Sequence, residues 1–328
     1  MKLVMSLPIL IGLSAWAAAC LWVDGPESRL LAGFLATGFV AASLFIVGLA
    51  RPIWRMWLAF AVLFLAVQIW WLGIDASNDR DWLPGVAQLP SATIEGDLVT
   101  LQNVRNFHYR SDSDFDEIWE TRSYDLSKLE GVDLFLSYWG SPMIAHTIAS
   151  WQFSDGKHLA ISIETRKEVG ESYSALLGFF RQYELYYTVA DERDLIGVRT
   201  NFRGEEVYLY RLKTKVPVAR AIFLDYLKSI NELVEEPTWY NALSTNCTTT
   251  IRRHVQHVAP RNPFDWRILV NGYIDELGYE RGQLDNTLPF DEMRRQSEIT
   301  QKAQAAGNRQ DFSALIRADL PGPHEPAS

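Results

Sequence analysis

The chain has 328 residues, with 40 acidic against 31 basic side chains and a net charge of −9. That acidic balance argues against a nucleic-acid binder, because phosphate neutralisation needs a basic face. Hydrophobic residues make up 48% of the chain, but residues 1–75 are almost free of charge and the remainder is polar and acidic, so the two parts are read separately.

Three apolar runs come first: "LVMSLPILIGLSAWAAACLWV" (3–23), "LLAGFLATGFVAASLFIVGLA" (30–50) and "MWLAFAVLFLAVQIWWLG" (56–73). Each approaches the roughly 20 residues that a bilayer-spanning helix needs. None carries a charge, and the third has only Gln68 as a large polar residue. Three such runs joined by very short connectors do not suit a soluble core, so they are read as membrane spans. Lys2 precedes the first span, Arg51 and Arg55 lie between the second and third, and the segments after spans one and three are acidic. The positive-inside rule then puts the N-terminus in the cytoplasm and everything beyond about residue 75 outside, in the periplasm or on the outer face of a bacterial inner (cell) membrane. Trp54, Trp57, Trp70 and Trp71 stand near the ends of the third span, as an aromatic belt would place them. "AWAAAC" offers a competing reading as a processing site. However, Ala17 stands where a lipoprotein cleavage site usually has Leu, and two more spans follow.

The chain has two cysteines, Cys20 inside the first span and Cys247 in the exported part. Cys247 therefore has no intramolecular partner, and an exported unpaired thiol is worth flagging as reactive. The count also excludes a cysteine-rich zinc site. No cofactor or metal is expected.

Residues 76–95 read as a linker. "DLVTLQNVRNFHYR" (97–110) suits one or two strands, "SDSDFDE" (111–117) a charged loop and "VDLFLSYWG" (132–140) another strand. In "IAHTIASWQFSDGKHLAISIETR" (144–166), two alternating runs flank Ser-Asp-Gly, a hairpin signal. A three-residue loop with Gly156 in the left-handed position pairs Phe153 with Lys157, Trp151 with Leu159, Ala149 with Ile161 and Thr147 with Ile163. That register gathers one apolar face, whereas a two-residue loop would mix polar with apolar. It also sets His146 across from Glu164, beside Ser150, Ala160 and Ser162.

Further along, "YSALLGFFRQY" (173–183) reads as a short helix. "ELYYTVA" (184–190), "LIGVRTN" (195–201) and "EVYLYRL" (206–212) read as strands. "PVARAIFLDYLKSINELVEE" (217–236) reads as a helix with Pro217 at its first position. "CTTTIRRHVQHV" (247–258) follows as a helix capped by Asn246 or Thr245, and "DWRILVNGYIDELG" (265–278) as another with a Gly stop. The exported domain closes at about 298, and 299–328 reads as a frayed helix and then a disordered polar tail.

Cys247 thus sits at a helix N-terminus, where orphan N–H groups and the helix dipole favour a thiolate. His146 can serve as its base and Glu164 can orient the imidazole, the minimum set for thiol acyl transfer. The N–H of Cys247, with Thr248, can contribute to an oxyanion hole. Asn246, Thr248, Arg166 and Tyr240 are candidate supporting residues. Each also has a structural reading: a buried thiol, a satisfied strand histidine, an ordinary Glu164–Arg166 surface pair. His254 and His257, two and three turns down the helix, are read as solvent-facing, and His158 as lying near the turn, far from His146.

Taken as an ordered set, "YWGSPMIAHTIASWQF", "AISIETR", "YSALLGFFRQYEL", "VYLYRLKT" and "PTWYNALSTNCTTT" resemble the Lnb-type N-terminal periplasmic domain over roughly 100–280. That bacterial family is named for the lipoprotein intramolecular transacylase. The order His, acid, Cys is also similar to circularly permuted NlpC/P60 or LRAT-like thiol enzymes. The resemblance implies that the three N-terminal transmembrane helices read from the apolar runs are followed by a permuted papain-like domain of antiparallel sheet and packed helices, giving an α+β fold. It matches Cys247 to the nucleophile and His146 to the base, while Glu164 rests on the hairpin register. It implies an acyl-thioester on Cys247, with the lipid bilayer and a lipoprotein or lipid acyl substrate as partners. Two alternatives stay open: a cysteine peptidase or amidase acting on cell-wall peptides, and a non-catalytic envelope scaffold. An apolar groove beside Cys247 leading to the membrane favours acyl chemistry, a polar open cleft facing away from it favours peptides, and a buried thiol beyond reach of His146 favours the scaffold.

Overall fold

The computed structural model describes residues 2–49, 51–259 and 263–322, which form two compact units. The first comprises Met1–Ser77, Ser172–Glu184 and Thr238–Ala242. Its helices α1 (Lys2–Val23), α2 (Arg29–Leu49) and α3 (Ile53–Leu72) coincide with the three apolar runs. By length and composition, each can cross a membrane. Ala17, Ala32, Phe39 and Phe60 pack inward, while Leu30, Phe34, Leu44, Phe45 and Val62 stay exposed. A helix apolar on every side that buries so little of itself suits a lipid solvent, where all backbone polar groups are satisfied within the helix. The ends of α1 and α3 lie side by side, with Trp71 Nε1 donating to Asp24 Oδ2 at 2.6 Å.

The short helix expected over 173–183 is reduced to one 3-10 turn at Leu177–Phe179. The Gly178 carbonyl accepts instead from Ala242 N at 2.7 Å, which takes the backbone out of a helical ladder. Gly178 is closely packed, since a Cβ there would sit 3.3 Å from both Tyr240 and Ala242.

The second unit comprises Asn78–Glu171, Leu185–Pro237 and Leu243–Ser328. It contains β1 (Ser91–Glu95), β2 (Leu98–Arg105), β3 (His108–Tyr109), β4 (Phe115–Asp116), β5 (Trp119–Asp125), β6 (Leu129–Tyr138), β7 (Ala145–Phe153), β8 (His158–Arg166) and most of β9 (Glu184–Ala190). There follow α4 (Glu192–Leu195), β10 (Glu206–Arg211), α5 (Val216–Glu235), α6 (Cys247–Val258), α7 (Ile274–Glu280), α8 (Phe290–Gln296), α9 (Thr300–Ala306) and α10 (Phe312–Arg317). The main sheet runs β1-β2-β9-β8-β7-β6-β10, with β5 on β2, and β3–β4 form a separate small hairpin. The architecture is α+β.

The β7–β8 hairpin has the register that its alternation predicts. Pairs run from Ile148↔Ser162 to Gln152↔His158, Phe153 N bonds Lys157 O, and Gly156 adopts φ +80°. Because side chains alternate along a strand, the two faces meet different partners. Trp151 faces α5, touching Phe223 and Tyr226 and donating Nε1 to Ala219 O. Ile148 and Ala160 face Leu195, Ile299, Ala303, Phe312 and Ile316. Both faces of the central strands are therefore covered.

Several expectations are corrected. The segment 299–320 is not a frayed end: α9 and α10 complete the second core layer with Ala306, Phe312, Ile316 and Leu320 buried. Its polar composition hides an apolar stripe, together with Arg317, which neutralises buried Asp133 and Glu192 at 2.8 and 2.6 Å. Residues 323–328 of the expected tail lie outside the described residues. The linker expected over 76–95 is folded in as well. β1 pairs with β2, and Trp82 and Val86 are buried against Tyr186. "LIGVRTN" is not a strand: α4 is followed by a π-helical turn at Val198–Phe202. The helix expected over 265–278 breaks into 3-10 turns at Trp266–Ile268 and Asn271–Tyr273 before α7, and Gly278 lies inside α7 rather than ending it. Pro217 occupies the second helical position of α5, after Val216.

Candidate active site

The site is built where the start of β7, the end of β8 and the first turn of α6 converge. Asn246 caps α6: its side chain accepts from Thr249 N at 2.9 Å, while its own N–H donates to Thr249 Oγ1 at 3.1 Å. This capping box fixes Cys247 as the first helical residue, with the unpaired N–H groups of the opening turn around it.

His146 Nε2 lies 2.6 Å from Ser162 Oγ, which donates to Glu164 Oε1 at 2.8 Å. The direct Nε2–Oε1 separation is 3.6 Å, so Ser162 bridges much of the expected cross-strand pair. With Nε2 turned this way, Nδ1 is the ring nitrogen left for the thiol. Glu164 is held by Arg199, whose Nη2 donates at 2.9 Å and whose side chain is 5% exposed. Burial works against the Glu164 charge, but Arg199 and the neighbouring His146 win, keeping it well below the usual carboxylate range.

Burial also opposes ionisation of Cys247. The neighbouring His146 charge, a hydrogen bond from it and further bonds from Thr147 outweigh that cost and bring the thiol down to about 6. For His146, burial disfavours the charge, yet the adjacent sulfur, the bond to Cys247 and the nearby Glu164 carboxylate raise it to about 9. The two titrate as a pair, in which thiolate and imidazolium stabilise each other.

A second group of polar side chains holds the other side of the thiol. Asn271 Nδ2 donates to Ala145 O and to Thr248 Oγ1, both at 2.6 Å, and lies 3.8 Å from Cys247 Sγ. Its Oδ1 accepts from Ala145 N at 3.0 Å. Thr248 Oγ1 also meets Thr147 Oγ1 at 3.1 Å. Thr147 and Thr248 help to line a cavity of about 490 Å³ between α5, α6 and α7, together with Ala149, Ile222, Ile251, Val255, Leu277 and Leu284. Tyr226 also lines it, and its buried hydroxyl has no hydrogen-bond partner among the described residues.

The structure thus brings together Cys247, His146, Glu164, Asn246 and Thr248. It does not bring Arg166 to the thiol. That guanidinium donates to Val86 O, Ala87 O and Asn78 Oδ1 and stacks 4.1 Å over Trp82, holding the 78–87 segment. Tyr240 falls in the first unit, its N–H bonded to Tyr183 O.

Residues 115–272 match the family model described as the Lnb N-terminal periplasmic domain. This stretch of the chain belongs to that family. No curated protein and no solved structure matches the chain. The Lnb domain so delimited carries His146, Glu164, Arg199, Cys247 and Asn271 together. With the three apolar helices ahead of it, it marks a membrane-anchored periplasmic protein.

Sequence reasoning missed two residues of this Lnb domain. Arg199 was hidden in a segment read as a strand, although a lone Arg in an apolar run is a signal of a buried partner. Asn271 was hidden in a segment read as a helix, although Asn271-Gly272 is a turn dipeptide. His254 corrects a further expectation. It is buried, not solvent-facing, with Nε2 at 2.7 Å from Tyr187 Oη and Nδ1 at 2.6 Å from Asp225 Oδ2. His257 is exposed and shares Asp225 at 3.0 Å. These three side chains lie close enough to surround a cation, and here they bond one another.

Proposed function

We propose that the protein is a membrane-anchored thiol acyltransferase or acyl hydrolase that moves or removes a fatty acyl chain on a lipoprotein or lipid. The cavity carries this reading. Thr248, the residue after the primed thiol, and Thr147 line a largely apolar cavity about as large as small-molecule sites usually are. A peptide substrate would call for a polar, open cleft. A scaffold would have no use for a thiol lowered to about 6 beside a histidine.

In this reading the Cys247 thiolate attacks the ester carbonyl. The N–H groups of Cys247 and Thr248 receive the oxyanion, with the Tyr226 hydroxyl available to the acyl carbonyl from the cavity. His146, protonated at Nδ1, gives its proton to the leaving alkoxide, forming an acyl-thioester and a free alcohol. It then takes a proton from the attacking amine or water, which releases the acyl chain and restores the thiolate. Glu164, held by Arg199, keeps the imidazole oriented through Ser162. The order of histidine strand, acid strand and cysteine helix supports kinship with permuted papain-like enzymes. The charge pattern of the connectors supports a multi-pass arrangement with the N-terminus cytoplasmic and the Lnb domain periplasmic.

The test is the intact mass of the full chain in detergent after incubation with a diacylated lipopeptide. The expected result is a gain of one acyl mass, removed by hydroxylamine, absent in Cys247→Ala and weakened in His146→Ala. No adduct, together with a thiol unreactive to small alkylating agents, would sink the reading.

A further inference from the structure

The first unit contains more than its three helices. Residues 172–184 and 238–242 are docked on the end where α1 and α3 finish. Phe180 stacks on Trp16, with ring centroids 5.3 Å apart and planes 15° from parallel, and Trp16 meets Trp71 edge-on at 5.7 Å. Arg181 donates its backbone N–H to Asp24 Oδ1 and Nη1 to Ile74 O, with its guanidinium 4.8 Å over Trp71. Gln182 Nε2 adds a 2.8 Å bond to Asp24, and Trp239 Nε1 reaches Ile74 O at 2.9 Å. Trp16 is seven residues before the end of α1, about 10 Å along the axis, so Phe180 reaches well below the helix end.

We propose that residues 172–184, backed by 238–242, form a lipid-docking layer that lies in the boundary between headgroups and acyl chains of the bilayer. The inference rests on α1–α3 being membrane spans. The apolar side chains of the layer point outward: Leu176 is 69% exposed, Tyr173 47% and Phe179 37%. Leucine and aromatics so exposed cost little only if lipid covers them. The occupant follows from continuity, since the layer packs on Trp16 and Trp71 of the spans, and Trp22 and Trp70 near the same helix ends are themselves exposed. Arg181 suits the same depth, its charge met by Asp24 and its plane by tryptophan rings. A membrane-embedded acyl donor would thus meet a surface whose chain leads, five residues after Ala242, into the nucleophile Cys247.

The experiment uses the full chain in phosphatidylcholine nanodiscs, with Cys20→Ala and Cys247→Ala as background. A nitrobenzoxadiazole label is placed singly through Leu176→Cys, Phe34→Cys within α2, or Lys228→Cys on α5, all exposed positions. At Leu176, quenching by lipids carrying a nitroxide near the headgroup end of the chain, with several-fold protection from aqueous iodide, is expected. Lys228 should show the reverse. Iodide quenching at Leu176 as strong as at Lys228 would overturn the layer, even with Phe34 lipid-quenched and the spans intact. Iodide access at Phe34 as well would overturn both.

Discussion

At the residue scale, the chemistry turns on how three charges share one small space. Cys247 near 6 and His146 near 9 leave a window in which thiolate and imidazolium coexist. An acid with a depressed pKa is ionised above it, so thiol reactivity is gained as pH rises through about 6. The imidazolium is lost as pH rises through about 9, and with it the proton for the leaving group. Alkylation by iodoacetamide, read on the peptide bearing Cys247, should therefore rise with a midpoint near 6, and in His146→Ala the midpoint should move up towards ordinary thiol values. An unshifted midpoint in that variant would show that His146 does not ionise the thiol. Arg199→Gln leaves the Glu164 carboxylate without its cation. The expected outcome is a loss of about 3 kcal/mol in denaturant unfolding, with acylation weakened more than in a distant surface variant.

At the element scale, the β7–β8 hairpin and the α6 cap were legible in the sequence because both are local. Alternation with Ser-Asp-Gly sets the register, and Asn246 with Thr249 sets the helix start. What was not legible is the break at Asn271-Gly272. Helical spacing of apolar residues continues through it, but Gly272 packs onto the 142–143 turn so closely that a Cβ would fall 2.1 Å from Pro142 O. Gly272 N bonds Met143 O and Tyr138 Oη donates to Gly272 O, so long-range contacts hold the turn. Gly272→Ala should push this turn off and carry Asn271 away from Ala145 and Thr248. Acylation should then fall at least tenfold while far-UV circular dichroism stays near wild type. Full activity would show that Asn271 does not position the thiol loop. Arg199 was illegible for a similar reason: its π-helical turn is stabilised by what surrounds it, with Arg199 Nη1 donating to Leu195 O as Nη2 reaches Glu164.

At the scale of the whole molecule, the C-terminal segment matters most to the comparison. Composition reads it as a tail, but α9 and α10 cover a sheet face, and Arg317 is the cation for Glu192 and Asp133, both buried. A chain ending at residue 298 should accumulate as aggregate or proteolysed fragments, because it exposes an apolar sheet face and leaves two buried carboxylates without their arginine. A soluble, cooperatively unfolding product of that length would contradict the packing described.

The sequence by itself determined the three apolar helices, the hairpin register and the cap beneath Cys247, since each depends on composition or on neighbours a few residues apart. Only the tertiary structure decided that Ser162 stands between His146 and Glu164, that Arg199 and Asn271 close around the site, that His254 is buried, and that Thr147 and Thr248 line a largely apolar cavity. Apart from the bonds of Ser162 within the hairpin, these depend on contacts between residues 23 to over 120 positions apart. No local pattern encodes such contacts, because they form only when both faces of the sheet are covered.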